Sequence, residues 1–150
     1  MIELIFVIVI LGILVAVAIP KLAATRDDAK IAKGATEIAS VVTDLGAYYT
    51  AQGNFNANFE QMTNVDVWDD KTVDLNGSSA VYFQVEGINC MEINTSTAAA
   101  LDGNFTVSHT PDTGVKTAIC SGIAGATKKV SGGVNGSYTH SFGGSTVKWD

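Results

Sequence analysis

The sequence predicts an α+β fold, in which one long N-terminal helix packs on an antiparallel β-sheet. Apolar residues first fill an unbroken run and then recur at three- and four-residue spacing up to about residue 52, as in a helix. From residue 80 onward, short stretches alternate apolar and polar residues between turn signals, as strands do. About 100 residues follow the helical region, which is enough for a small hydrophobic core.

Composition divides the chain and excludes one class of partner. We predict a hydrophobic, protruding half-helix over residues 1–24, an amphipathic continuation over residues 25–53 and a globular β-rich head over residues 54–150. The 150 residues carry a formal net charge of −6. Nucleic-acid binding requires clustered Lys and Arg, so we expect no nucleic-acid partner.

The run from Leu4 to Ile19 contains no charged residue. Its length lies between that of a signal-peptide core and that of a membrane-spanning helix. Ala16-Val17-Ala18 is similar to a signal-cleavage site, but Glu3 occupies the place where a signal peptide carries basic residues. A simple anchor would have its flanking lysines in the cytoplasm. That orientation would also leave the Ser- and Thr-rich domain in the cytoplasm. Either the protein is inserted in the opposite orientation, or basic residues that preceded the run have been removed.

The stretch "MIELIFVIVILGILVAVAIP" closely resembles the start of mature type IV pilins and pseudopilins. The resemblance covers some 20 to 25 residues and implies a basic leader removed after a glycine, followed by N-methylation. It also implies a glutamate near the mature terminus, matching Glu3, and a helix-loosening Gly and Pro, matching Gly12 and Pro20. The family's glutamate usually lies two residues further from the mature start, so two residues are expected to precede Met1.

This resemblance implies a structural subunit that polymerises into a type IV pilus, anchored in the bacterial inner membrane before assembly and part of a surface filament afterwards. Its partners would be identical subunits and the assembly machinery; adhesion, motility and DNA uptake are family activities. Glu3 would meet the N-terminal ammonium of a neighbouring subunit, although a glutamate at the membrane interface with no specific role is the alternative. The other expected assembly residues are Leu4, Phe6, Ile10, Gly12, Leu14 and Pro20.

Two other functions stay open at this stage. One is a pseudopilin of a type II secretion system, which forms a short periplasmic filament. The other is a membrane-anchored periplasmic protein of different function. The chain shows no nucleophile, base and orienting acid within a motif, so no enzymatic activity is predicted.

The helix itself has a weak point and a defined end. Pro20 removes a backbone hydrogen bond and Gly12 lowers helix propensity, so residues 12–20 are the expected place for a kink or a melted turn. Gly53 is expected to cap the helix after Gln52. Beyond Lys21 one face is predicted to be buried, and it consists of Ala24, Ile31, Ala35, Ile38, Val42, Leu45 and Tyr49.

The head is predicted to contain four to six antiparallel strands, in the roll that pilins share. Turn signals are expected at residues 87–89, 111–114 and 143–144. The predicted strands are Ala80–Val85, Cys90–Ile93, Asn104–His109, Val115–Cys120, Ser137–Phe142 and Ser145–Trp149.

Cys90 and Cys120 are the chain's two cysteines. If the apolar run exports the head, the compartment is oxidising and a single disulfide bond is the default expectation. A metal site built from both cysteines with His109 and His140 is the alternative, but the spacing matches no zinc finger. The two histidines are most simply polar strand residues.

One cluster of acidic residues suggests calcium as a cofactor. No other cofactor is suggested, and no metal site is predicted. The cluster matches no EF-hand spacing, so a solvated acidic loop is the simpler interpretation. Its members are Asp66, Asp69, Asp70, Asp74 and Asn76.

Three Asn-X-Ser/Thr sequons are candidate glycosylation sites, at Asn76, Asn94 and Asn104. An acid stands two residues before each of them, as in the extended acceptor motif of bacterial oligosaccharyltransferases. A fourth sequon, at Asn135, lacks this acid. Chance occurrence in a head rich in Asn, Ser and Thr is the alternative.

Overall fold

A computed structural model describes residues 1–66, 68–69, 73–75, 79–95, 103–110 and 117–143. It confirms the α+β class, with a long N-terminal helix packed against a four-stranded antiparallel sheet in the order β1-β2-β3-β4. The chain divides into two compact units, Met1–Lys30 and Ile31–Asp150. The elements are α1 (Ile2–Gln52), a 3₁₀ helix (Phe59–Gln61), β1 (Ala80–Val85), β2 (Ile88–Asn94), β3 (Asn104–His109), α2 (Thr117–Ala126), α3 (Lys128–Ser131) and β4 (Ser137–Ser141).

The part of α1 in the second unit buries one face. Ile38, Val42 and Leu45 of the predicted face are buried, whereas Ala24 is exposed. The helical period explains the pattern, because residues three and four apart lie on the same side. The buried residues of α1 are Gly34, Ile38, Val41, Val42, Leu45 and Gly46.

Gly53 ends α1 as predicted. The helix is assigned through Gln52, and Gly53 follows with a φ of +77°. Its backbone N–H donates to the Tyr49 carbonyl oxygen at 2.7 Å. A residue with a side chain rarely adopts this left-handed conformation, so glycine is the residue that closes the last turn.

The first hairpin joins β1 and β2 one residue earlier than predicted. The turn is Glu86-Gly87, with φ of +53° and +79°, and β2 begins at Ile88. A two-residue hairpin with both central residues left-handed matches the twist of its strands, so this turn is favoured over the predicted turn at residues 87–89. Strand β3 has the predicted bounds, with Phe105, Val107 and His109 buried.

A β-bulge places Cys90 where it can cross-link the head. Phe83 pairs with Met91 and Gln84 pairs with Asn89, so Cys90 is an extra residue in β2. Both Cys90 and Met91 are buried, which a regular strand with alternating faces would not allow. Cys90 forms a disulfide bond with Cys120 of α2. A bond closing a loop of this size stabilises a fold by about 3–4 kcal/mol in the chain-entropy description.

The predicted strand Val115–Cys120 is wrong. From Thr117 the chain is helical, as α2, and residues 111–116 lie outside the described residues. The buried residues Ile119, Cys120, Ile123 and Ala124 recur at helical spacing and continue past the end of the predicted strand. The helical period therefore emerges only over a window longer than six residues.

The aromatic residues of the connector also enter the core. Phe55, Phe59 and Trp68 are buried. The Trp68 ring lies 4.9 Å from that of Phe59 and 5.5 Å from that of Phe83 in β1, both at edge-to-face angles. This geometry adds about 0.5–1.5 kcal/mol per pair beyond area burial.

Strand β4 begins at Ser137 as predicted, ends at Ser141, one residue before the predicted end at Phe142, and pairs with β3. The second half of the predicted C-terminal hairpin, Ser145–Trp149, lies outside the described residues. Phe142 follows β4 and packs against α1 at Gly46, where a Cβ atom would lie 2.5 Å from the ring. The absence of a side chain at Gly46 lets the ring approach the helix this closely.

Replacing Gly46 by Ala should destabilise the head. Alanine favours a helix over glycine by about 1 kcal/mol. Here the added methyl overlaps the Phe142 ring, and overpacking of this kind costs about 1–3 kcal/mol. We therefore expect a net loss in the free energy of unfolding, measured by urea denaturation of the full chain in detergent micelles.

Gly125→Ala is the matched control, because a Cβ atom on Gly125 of α2 meets nothing within 4 Å. This variant should be as stable as the parent or more stable. Equal stability of the two alanine variants would contradict the close contact at Gly46.

Candidate assembly surface

The N-terminal unit exposes all its side chains from Met1 to Ala29. Its sequence is rich in Ile and Val, which are weak helix formers in water. In a hydrocarbon environment the helix is favoured instead, because every backbone N–H and C=O must be satisfied within the segment. By length and composition, α1 can cross a membrane, and none of its apolar window is buried. This feature is compatible with membrane anchoring.

The exposed apolar surface is too large to remain in contact with water. Full burial of one such side chain contributes about 2 kcal/mol, which gives on the order of 20–30 kcal/mol for the set. The exposed large apolar residues of the run are Ile2, Leu4, Ile5, Phe6, Val7, Ile8, Val9, Ile10, Leu11, Ile13, Leu14, Val15, Val17 and Ile19.

This surface surrounds the helix instead of forming one stripe. Consecutive positions such as Phe6, Val7 and Ile8 point in different directions, and they are 65%, 50% and 57% exposed. A helix that is apolar on all sides needs an apolar environment on all sides, either lipid or other helices. A single docking groove would cover only one side.

Glu3 lies in the first turn of α1 and is exposed. A carboxylate in this position interacts favourably with the positive end of the helix dipole. Among the described residues no side chain forms an ion pair with it. The nearest Lys or Arg along α1 is Lys21, which lies about 27 Å away at 1.5 Å per residue. No Lys or Arg of α1 therefore lies within contact distance of Glu3.

Of the kink or melted turn predicted at residues 12–20, the melted turn is wrong, because α1 is helical through both Gly12 and Pro20, and the kink stays a prediction. Pro20 leaves the Ala16 carbonyl without its usual i+4 donor, but a single lost bond does not interrupt the helix. A Cβ atom on Gly12 would meet nothing within 4 Å. The missing side chain therefore leaves a gap on the surface of α1 and relieves no contact within the chain.

Comparison of the chain with known protein families, with characterised proteins and with solved structures gives no match.

The other candidate groups form no further site within the described ranges. The cysteines are bonded to each other, which removes them from the alternative metal site. No group of three or more His, Cys, Asp and Glu side chains is placed to hold a metal ion among the residues described. Asp70 and Asn76 of the acidic cluster lie outside those residues. Asn94 is at the end of β2 and Asn104 begins β3.

A polar cleft beside α1 was not predicted from the sequence. It has a volume of about 280 Å³, and its lining includes Asp44, Tyr48, Met62 and Thr63. The Thr63 hydroxyl donates to an Asp44 carboxylate oxygen at 2.7 Å. This contact joins residues 19 positions apart, and short-range sequence patterns carry no signal for it.

His109 is a strand residue, as predicted, but it is buried with an exposed fraction of 6%. Its Nδ1 accepts a hydrogen bond from the Asn135 backbone N–H at 3.3 Å. Its Nε2 is buried and has no hydrogen-bond partner in the part of the chain that the structure describes. Burial lowers the pKa of His109 below its ordinary value of 6.5. Protonation of Nδ1 would also break the hydrogen bond with the Asn135 backbone N–H, because two donors would then face each other.

The free energy of unfolding should decrease as pH falls below about 6.5. In this range the unfolded chain binds a proton at His109 that the folded chain resists, so acid favours unfolding, whereas above this range both states hold a neutral ring. Urea denaturation between pH 7.5 and 5.5 measures the effect.

His109→Gln keeps an acceptor for Asn135 and cannot titrate. This variant should show a flatter pH dependence, even if its stability at pH 7.5 is lower. An unchanged slope between pH 6.5 and 5.5 would assign the effect to other groups.

Proposed function

We propose that this chain is a structural subunit that polymerises into a type IV pilus through the N-terminal part of α1. The observation that carries the proposal is the exposed first part of α1, up to Ile19, which is apolar on all sides and whose single carboxylate, Glu3, lies at its start. The close resemblance of residues 1–20 to the mature start of type IV pilins supports the same function. In this proposal the subunit is held in the inner membrane before assembly and belongs to an extracellular filament afterwards.

The apolar residues permit both states. Lipid tails and neighbouring copies of the same helix are both apolar environments, so transfer between them requires no change in the helix surface. Leu4, Phe6, Ile10 and Leu14 would lie in the filament core, and the gap at Gly12 would allow close approach of another helix. Small residues serve this purpose in helix packing within membranes.

Glu3 would favour the assembled state over the inserted monomer. An unpaired carboxylate within hydrocarbon costs about 3 kcal/mol on insertion scales. An ammonium group 4 Å away contributes about 4 kcal/mol of attraction at an effective dielectric constant of 20. The two terms are comparable, so pairing offsets the cost of placing the charge in an apolar core. The N-terminal amine of a neighbouring subunit is the proposed partner.

Replacing Glu3 by Ala or Gln should abolish filaments while monomer accumulates in the membrane fraction. The reason is that the apolar surface remains intact, whereas the charge that pairs with the neighbouring amine is lost. Electron microscopy of sheared surface material and immunoblotting of membrane fractions measure the two quantities in the cells that make the protein.

Asp28→Asn removes one carboxylate from an exposed position of the same helix outside the apolar run, and it should leave filaments unchanged. Normal filaments from Glu3→Ala would refute the pairing mechanism. Filaments of the parent chain that stay short and within the cell envelope would instead favour a pseudopilin of a type II secretion system.

A further inference from the structure

Acidic residues precede the sequons of this chain more often than composition predicts. The chain contains 15 Asp and Glu among 150 residues, or one in ten. Chance would therefore place an acid two positions before the asparagine in fewer than one of four sequons. It is found in three: Asp74 before Asn76, Glu92 before Asn94, and Asp102 before Asn104.

In an extended chain, the two-residue spacing places the acid and the asparagine on the same side of the strand. Side chains two apart on a strand point to the same side. Glu92 and Asn94 of β2 therefore lie on one side, as do Asn104 and Thr106 of β3. Asn94 pairs directly with Thr106 across the two strands, so both sequons belong to the same face of the sheet.

This face lies opposite the core. On β3 the alternate residues Phe105, Val107 and His109 are buried, whereas Asn104 and Thr106 are half-buried. The neighbouring positions of β4 on this outer face, Ser137, Thr139 and Ser141, are exposed. The Thr106 and Thr139 hydroxyl groups hydrogen-bond to each other at 3.0 Å. The surface is thus polar, half-buried at the two asparagines and exposed along β4, with hydroxyl groups beside both asparagines.

The hydrogen bond of the Asn94 side chain is compatible with a substituent on its nitrogen. The Asn94 amide nitrogen donates to a Glu92 carboxylate oxygen at 2.8 Å. An N-linked sugar replaces one of the two hydrogens on this nitrogen, so the other can still donate to Glu92. The Asn104 amide oxygen is buried without a hydrogen-bond partner among the described residues. A sugar would be attached to the amide nitrogen and not to this oxygen.

We propose that Asn94 and Asn104 are N-glycosylated by an oligosaccharyltransferase that requires an acid two residues before the asparagine. The amide nitrogen forms a bond to C1 of the first sugar of a lipid-diphosphate-linked oligosaccharide. The bond from C1 to the diphosphate oxygen breaks, the lipid diphosphate leaves with the electron pair, and the amide loses one proton. The enzyme acts on the extended chain before the sheet forms, and the outer face accommodates the sugars afterwards. This modification does not depend on filament formation.

Asn135 distinguishes an enzyme that requires the acid from an enzyme that modifies any exposed sequon. Its side chain is exposed in a turn, and its φ of +58° is left-handed. Gly133 occupies the position of the acid. An enzyme that selects accessible sequons would choose Asn135, whereas an enzyme that requires the acid would leave it unmodified.

The test is intact-mass and glycopeptide mass spectrometry of the full chain purified from the cells that make it. The parent should exceed its sequence mass by sugar increments, with sugar on the Asn94 and Asn104 peptides and none on the Asn135 peptide. Asn94→Gln and Asn104→Gln should each remove one increment, and Asn135→Gln should remove none.

Two conservative variants test the specificity. Glu92→Gln should abolish sugar at Asn94 alone, because it removes the carboxylate but keeps the size of the side chain. Thr106→Val should abolish sugar at Asn104, whereas Thr106→Ser should retain it. An unmodified parent mass, sugar confined to Asn76 or Asn135, or full occupancy of Asn94 in Glu92→Gln would overturn the proposal.

Discussion

The apolar residues that surround α1 near its start impose the dominant physical constraint on this chain. Their burial in lipid or among other helices would contribute on the order of 20–30 kcal/mol. Folding of the head leaves these side chains exposed, so lipid or other helices would supply the burial. Further along the chain, the same helix buries only one face. The first part of α1 therefore needs apolar surroundings on all sides, and its later part needs them on one side only. This difference arises from the side chains that each part carries, because the backbone is helical throughout.

Within the second unit, Ile31–Asp150, glycines of α1 and one bulge in β2 allow the helices and strands to pack closely around a small hydrophobic core. A Cβ atom on Gly34 would lie 2.7 Å from the Ile123 side chain, and the Phe142 ring occupies the space that a side chain at Gly46 would need. The bulge at Cys90 turns a second consecutive side chain of β2 inward and makes the bond to α2 possible. Close approach increases dispersion contacts, and the disulfide reduces the entropy of the unfolded chain.

Local signals explain which parts of this fold could be predicted from the sequence. The end of α1 depends on Gly53, and the bounds of β3 follow from strict alternation, so both were correct. The bulge was not predictable, because it exists only in the register between β1 and β2. The helix α2 was mistaken for a strand because its first residues include Ile119 and Cys120, which suit either structure. The burial of His109 depends on the turn that contacts it from 26 residues away. The candidate assembly surface was visible in the sequence because it depends on no tertiary contact.

A carboxylate in an otherwise apolar surface can fix the axial register between two helices, which apolar contacts alone do not. Hydrophobic burial is roughly proportional to area, so two smooth apolar helices lose little when one slides by a 5.4 Å turn. In the proposed filament the same shift would separate Glu3 from its ammonium partner and leave a charge unpaired in an apolar core. The penalty of about 3 kcal/mol corresponds to a preference of more than a hundredfold for the paired register. One acidic residue at the start of α1 can therefore select a single axial register, while the surrounding apolar side chains supply most of the association energy without specifying position.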